Sequence, residues 1–233
     1  MRMLSCVMGL LLWGWGAGFS ARAAQFDEGV IAYNMGDFPR AVEIWKPLAE
    51  QGHVKAQDYL AFMYYVGRGV VQDYAQAANW YQKVAEKGGA IAQYNLGFLY
   101  YIGQGVPQQY AQAVKWYRMS ADQENHKAQY DLGYCYLQGH GVTRDYQRAV
   151  MWFGRASDHG YLPAQVQLGE LYQQGLGVPE DYVMAYKWYT LGSAQGSEDA
   201  QQRKRRLAQR MTNDQIAQAQ TLARVWWKHY KQK

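Results

Sequence analysis

A pattern that recurs every thirty-six residues constrains this fold more than any other feature of the sequence. At residues 103–117 it reads GQGVPQQYAQAVKWY, and related segments occur thirty-six residues earlier and thirty-six and seventy-two residues later. The segments share two glycines, a Val, a Tyr, an Ala, a Trp and a final aromatic residue. Self-similarity at such a period is typical of a solenoid, in which each unit buries its apolar face only against its neighbours. The repeat therefore predicts the architecture, but it does not indicate which molecule the protein binds.

Four full units are predicted, at residues 53–88, 89–124, 125–160 and 161–196. In each unit, apolar residues spaced like Ala56, Leu60 and Met63 fall on one side of a first helix. The Gly-x-Gly-Val segment should end that helix, because glycine adopts positive φ freely. Asp73, Asp145 and Asp181 precede the second helices of three units and can cap them.

Three of the predicted first helices carry a glycine near the middle, at Gly97, Gly133 and Gly169. A mid-helix glycine destabilises a helix by about 1 kcal/mol relative to alanine. Its use three times at one repeat position indicates that a neighbouring helix passes close to that point.

Both ends of the chain depart from the repeat. In residues 24–52 only the second helix of a unit aligns with the repeat. This predicts an N-terminal capping helix pair. Asp37 is the expected N-cap of its second helix. Residues 197–233 carry nine Lys or Arg against three acids and predict two basic C-terminal capping helices. Thr212 and Gln215 have the spacing of a capping box at the start of the last helix.

Residues 1–23 have the features of a secretory signal peptide. Arg2 precedes the apolar run Leu4–Trp13, and Ala21-Arg22-Ala23 follows as a small-x-small cleavage pattern. We therefore expect a mature chain that begins at Ala24 and is exported to a bacterial periplasm. The alternative is a segment that is retained as a membrane anchor.

The repeat resembles that of the Sel1-like family, a relative of the tetratricopeptide repeat. The letters ALGxxYxxGxGVxxDYxxAxxWYxxAAxxG are best seen between Ala92 and Ala121, and the likeness extends over about residues 53–196. It implies an all-α fold, a right-handed α/α superhelical solenoid, with adaptor roles between proteins. Secreted bacterial members are similar to proteins that act in host interaction, in envelope assembly or in immunity against toxic effectors. A cysteine-rich branch, to which penicillin binding is attributed, pairs cysteines within each repeat, and this chain lacks those pairs.

The sequence contains no recognisable catalytic, metal or cofactor motif. His126, His140 and His159 share one repeat but occupy different positions in it, without the spacing of a metal-binding helix. The Gly-x-Gly segments follow helices and not strands, which makes them turns and not phosphate loops. Cys135 aligns with apolar residues of the other repeats, which predicts a buried thiol. We therefore expect neither a cofactor nor a bound metal.

The side of each first helix opposite its buried stripe is the candidate partner surface. The resemblance implies that first helices line a concave groove, and aromatic residues concentrate on this side in the first three repeats. Exposed aromatic residues of this density mark protein-binding sites. The predicted protein-binding residues are Tyr59, Phe62, Tyr65, Tyr94, Phe98, Tyr101, Tyr130, Tyr134 and Glu170. The alternative is burial of these rings between neighbouring helices, and partial exposure of the five aromatic residues between Tyr94 and Tyr134 distinguishes the two.

These features predict a non-enzymatic periplasmic adaptor that binds a protein or peptide, either as an envelope scaffold or as an immunity protein that neutralises a toxic effector. The alternative is an envelope enzyme that binds or hydrolyses peptidoglycan or β-lactams, for which Asp58, Asp131 and Glu170 are the acids to examine. The basic segment Arg203–Arg210 predicts weak contact with an acidic partner or anionic lipid, or else a solvated helix face. Secretion argues against nucleic acid, and the sequence leaves the oligomeric state open.

Overall fold

The computed structural model describes residues 23–232 of the 233-residue chain. Apart from its last residue, the predicted signal peptide lies outside this range. All regular elements between residues 23 and 232 are α-helices, and none of them is long and apolar enough to cross a membrane. In chain order they are α1 (23–34), α2 (Phe38–Glu50), α3 (Val54–Val66), α4 (Tyr74–Glu86), α5 (Ala90–Ile102), α6 (Tyr110–Ala121), α7 (His126–Gln138), α8 (Tyr146–Asp158), α9 (Leu162–Gln174), α10 (Tyr182–Ala194), α11 (Glu198–Ala208) and α12 (Asn213–Tyr230).

The helices form two compact units. The first comprises the described residues up to Ala92 together with Gly103–Pro107, and the second comprises Gln93–Ile102 and the described residues from Gln108 onwards. The helix pairs α3–α4, α7–α8 and α9–α10 are each packed together, as expected for the α/α solenoid class of fold.

In the first unit, the fully buried Trp45 of α2 is the residue against which α1 packs. Its indole N–H donates a hydrogen bond to the carbonyl oxygen of Phe26, 3.2 Å away. A Cβ atom added at Gly29 would lie 2.2 Å from the indole nitrogen, so glycine permits this approach. As predicted, Asp37 caps α2 by accepting a hydrogen bond from the backbone N–H of Arg40.

The mid-helix glycines confirm the expected close approach, and the neighbour is the second helix of the same repeat. A Cβ atom at these positions would lie within 3 Å of an aromatic ring that is almost completely buried. The distances are 2.8 Å from Gly97 to Tyr117, 2.9 Å from Gly133 to Phe153 and 2.5 Å from Gly169 to Tyr189. The absence of a side chain on the first helix thus sets how closely the second helix packs.

The Gly-x-Gly turns connect each repeat to the one before it. The first glycine ends the helix in the left-handed region, as Gly139 does at φ 78°, and its N–H donates to the carbonyl of Cys135. A Cβ atom on the second glycine, Gly141, would lie 2.4 Å from the backbone of Tyr110, at the start of the preceding repeat's second helix. The sequence predicted the first role, but it gave no sign of the second.

The predicted helix caps are present. The carboxylates of Asp73, Asp145 and Asp181 each accept a hydrogen bond from a backbone N–H in the first turn of α4, α8 and α10. Thr212 and Gln215 form the capping box at the start of α12. Helices α11 and α12 pack against α10, where they bury Ala200, Leu207 and Ala219.

Candidate functional site

The aromatic residues that the sequence assigns to the partner surface on α5 and α7 are all half-buried. We call this set the aromatic surface; its members are Tyr94, Phe98, Tyr101, Tyr130 and Tyr134. All of them pack against the hydrophobic core of the second unit while keeping part of their surface in solvent. The condition of partial exposure is therefore met, and their role in binding a partner stays a prediction.

Four members of the aromatic surface line one cavity of about 170 Å³. Phe98 and Tyr101 are three residues apart on α5, and Tyr130 and Tyr134 are four apart on α7, so each pair lies on one side of its helix. Tyr117 of α6 and Asp131 of α7 complete the lining. We call this space, with its six lining residues, the aromatic cavity. Because several lining side chains are half exposed, the cavity opens to solvent.

Asp131 is the residue of the aromatic cavity whose side chain is ionisable near neutral pH. Its carboxylate accepts a hydrogen bond from the hydroxyl of Tyr94, and Lys127 lies one turn earlier on the same helix. Burial raises the pKa of Asp131 to about 6, against the opposing effects of Tyr94 and Lys127. At neutral pH the cavity therefore holds a negative charge that is poorly solvated.

His140 forms part of the surroundings of the aromatic surface. Its Nδ1 lies 2.9 Å from the hydroxyl oxygen of Tyr101, and its ring stacks on Tyr110 with the centroids 4.7 Å apart. Burial raises the pKa of Tyr101 to about 12, so its phenol stays protonated and can donate to the imidazole. Sequence reasoning missed both His140 and Tyr117, because the first lies in a turn and the second belongs to a stripe predicted as core.

The predicted site residues of α3 lie in the first unit. Tyr59 is half-buried, and its ring packs 4.6 Å from Trp45 and 5.7 Å from Phe26, measured between centroids. Phe62 is 36% exposed, and Tyr65 contacts Tyr74 edge to face. Tyr59 therefore contributes to the packing of α1, α2 and α3, whereas Phe62 presents much of its ring to solvent.

Glu170, the remaining predicted site residue, forms an ion pair with the basic C-terminal segment. Its carboxylate lies 3.4 Å from Arg203, whose Nε also pairs with Asp199 at 2.8 Å. Arg210 contacts the hydroxyl of Tyr182 and lies over its ring. These two arginines are therefore engaged within the protein, while Arg205 and Arg206 in the same segment are exposed. Contact of this segment with lipid or an acidic partner stays a prediction.

The acids, the histidines and Cys135 are the described residues that were considered for catalysis or metal binding. Between residues 23 and 232 there is no group of three or more His, Cys, Asp or Glu that could hold a metal ion. Of the acids considered for an enzyme, Asp58 lies in the first unit, Asp131 lines the aromatic cavity, and Glu170 is paired with Arg203. Cys135 is buried as predicted, and burial raises the pKa of its thiol to about 12, which suppresses the reactive thiolate.

The family model described as the Sel1 repeat matches residues 54–89, 90–125, 126–161 and 162–197, which is more than half of the chain. The chain belongs to the Sel1 repeat family. Each matched Sel1 segment contains one helix pair, from α3–α4 to α9–α10. Sel1 repeat proteins act as protein-binding scaffolds and are generally non-enzymatic. No curated protein matches the chain in sequence.

Solved structures with similar folds include other Sel1 proteins. A protective antigen from uropathogenic Escherichia coli strains, with an SLR fold, is 34% identical with a TM-score of 0.80; the match covers 96% of this chain but only 48% of the antigen. A Sel1 repeat protein from Oxalobacter formigenes is 30% identical with a TM-score of 0.74, over 89% of this chain and 82% of that one. An immunity protein from Pseudomonas aeruginosa is 23% identical with a TM-score of 0.47, over 91% and 81% of the two chains.

Proposed function

We propose that this protein is a non-enzymatic scaffold that binds a protein partner through the aromatic surface of α5 and α7. The observation that carries the proposal is that these five half-exposed rings converge, four of them around one cavity. Tyr, Trp and Arg are enriched among the residues that dominate binding energy at protein interfaces. Rings already held against a core lose little conformational freedom on binding, which favours affinity.

We further propose that the protein acts in the periplasm, on the strength of the signal-like pattern in residues 1–23. Two roles fit a scaffold there: an organiser of the cell envelope, or an immunity protein that neutralises a toxic effector. An immunity protein needs only a pre-organised surface that blocks the effector. The adjacent genes separate the two roles, because a gene for a toxin or lipase beside this one favours immunity.

Site-specific photo-crosslinking tests the proposed surface. Benzoyl-phenylalanine is placed at Phe98, on the aromatic surface, in the full chain expressed in its native cells. The matched control places it at Met151, which is 44% exposed on α8 of the same unit. After irradiation, cell fractionation and mass spectrometry identify any adducts.

We expect an adduct with one defined protein from position 98, in the periplasmic fraction, and none from position 151. Adducts of equal yield from both positions, or from position 151 alone, would contradict the proposed surface. An adduct found only in the cytoplasmic fraction would contradict the proposed location. Thermal unfolding of both substituted proteins checks that they are folded.

A further inference from the structure

We propose that the aromatic cavity is a recognition pocket for one cationic side chain, lysine or arginine, of the protein partner. This inference rests on the proposed function, because it names the chemistry by which the partner would be recognised. It is carried by the juxtaposition of one carboxylate with five aromatic side chains around a space that opens to solvent.

Among the residues that the structure describes, no cationic group lies within ion-pair distance of the Asp131 carboxylate, although Lys127 acts on it from farther away. This carboxylate accepts a hydrogen bond from Tyr94. Lys127 on the same helix is exposed, so its ammonium group is hydrated. A buried carboxylate is normally paired, since an unpaired charge in an apolar setting is unfavourable. A ligand that carries a positive charge would supply the missing partner.

The aromatic lining favours the same kind of ligand. The face of an aromatic ring carries negative potential and attracts ammonium and guanidinium groups, most strongly where water is excluded. Two of the lining phenols, Tyr101 and Tyr130, are neutral at pH 7, and burial raises the pKa of each still further, to about 12. An anion would be repelled by Asp131. A neutral apolar group would remove water from the carboxylate and offer nothing in exchange.

The size of the cavity limits the ligand to the end of one side chain. Its volume is about 170 Å³, and an engineered protein cavity of about 150 Å³ binds benzene. A helix or strand of the partner cannot enter such a space. The main chain of the partner would instead lie across the half-exposed rings, with one long side chain inserted between them.

Titration with amino-acid amides tests the pocket without knowledge of the partner. The full chain is titrated with Nα-acetyl-lysine amide, Nα-acetyl-arginine amide and Nα-acetyl-norleucine amide at pH 7.5, with binding followed by tyrosine NMR signals. Norleucine amide has the length of lysine without its charge. The variants are Asp131→Asn and, as a matched control, Asp122→Asn, which removes an exposed acid of the same unit.

We expect at least one cationic amide to bind saturably and roughly tenfold more tightly than norleucine amide. Asp131→Asn should remove that preference, whereas Asp122→Asn should keep it. Equal binding of the three amides, a preference that survives Asp131→Asn, or no saturable binding of either cation would overturn the inference. Thermal unfolding of Asp131→Asn shows whether a loss of binding reflects a loss of fold.

The two proposals fail separately. If the amides show no charge preference but Phe98 still crosslinks to a partner, the surface is correct and the chemistry assigned to its cavity is wrong. If the cationic amides bind through Asp131 but Phe98 gives no specific adduct, the cavity binds cations without serving a protein interface.

Discussion

At the scale of single residues, Asp131 is where burial and charge conflict most clearly. A carboxyl group whose pKa is raised on folding stays protonated in the folded protein over a pH range where the unfolded chain has lost its proton. For Asp131 this range extends from the ordinary value of 3.8 to about 6. The free energy of unfolding therefore decreases as the pH rises through this window. Above about pH 6 the decrease due to Asp131 is complete.

Asp131→Asn should stabilise the protein at pH 7.5. The amide oxygen can still accept a hydrogen bond from Tyr94, and the buried charge is removed, so we expect a gain on the order of 2 kcal/mol in the free energy of unfolding. The gain should shrink as the pH falls from about 6 towards 4, because Asp131 is then protonated in the folded wild type. Denaturant unfolding of both proteins at several pH values measures this. A variant less stable than wild type at pH 7.5 would show that the carboxylate holds the fold together.

Residues of the candidate site differed in how far they could be predicted. The rings at Tyr94 and Tyr130 occupy one repeat position, and Phe98 and Tyr134 another, so the repeat alignment predicted their common side. Asp131 aligns with Asn95 and Gln167, so the repeat pattern did not place it at the partner surface, and the sequence named it only as an acid to examine for an enzyme. Asp131 lines a cavity because of the way α5, α6 and α7 pack together. The residue pattern along a single helix does not predict that packing.

At the scale of elements, the distance between the two helices of a repeat depends on a single missing side chain. Gly133 of α7 faces Phe153 of α8, which is fully buried, and a Cβ atom at Gly133 would lie 2.9 Å from its ring. The repeat predicted that some helix must pass close to this glycine. It also predicted the caps, because a cap depends on neighbours along the chain. The contact of Gly141 with the preceding repeat was missed, since it depends on a backbone thirty-one residues away.

Two glycine-to-alanine variants separate packing from helix propensity. Gly133→Ala should lower the free energy of unfolding by about 1–2 kcal/mol, because overpacking against the ring outweighs the better helix propensity of alanine. At Gly154 on α8, an added Cβ atom would have no neighbour within 4 Å. Gly154→Ala should therefore raise the free energy of unfolding by about 0.5–1 kcal/mol. Urea denaturation of both variants measures the difference. Effects of the same sign would show that the ring does not set the helix spacing.

At the scale of the whole molecule, the repeat count and the α/α class of fold could be predicted, while the partner could not. The residues that recur in every repeat determine how a unit packs on its neighbours. The same packing can support different functions, so these residues do not indicate the partner. The chain spans about half of the length of the E. coli antigen to which it is similar. The proposed partner surface therefore rests on residues in which the repeats differ, such as Asp131 in the aromatic cavity.

Hydrogen–deuterium exchange over the whole chain measures where the proposed partner binds. The protein is compared with and without the partner identified by crosslinking, at concentrations that saturate the complex. We predict slower exchange in the peptides that cover residues 93–102 of α5 and 126–138 of α7, with α11 and α12 unchanged. Protection confined to the basic helix α11 or to α12, with α5 and α7 unaffected, would contradict binding at the aromatic surface.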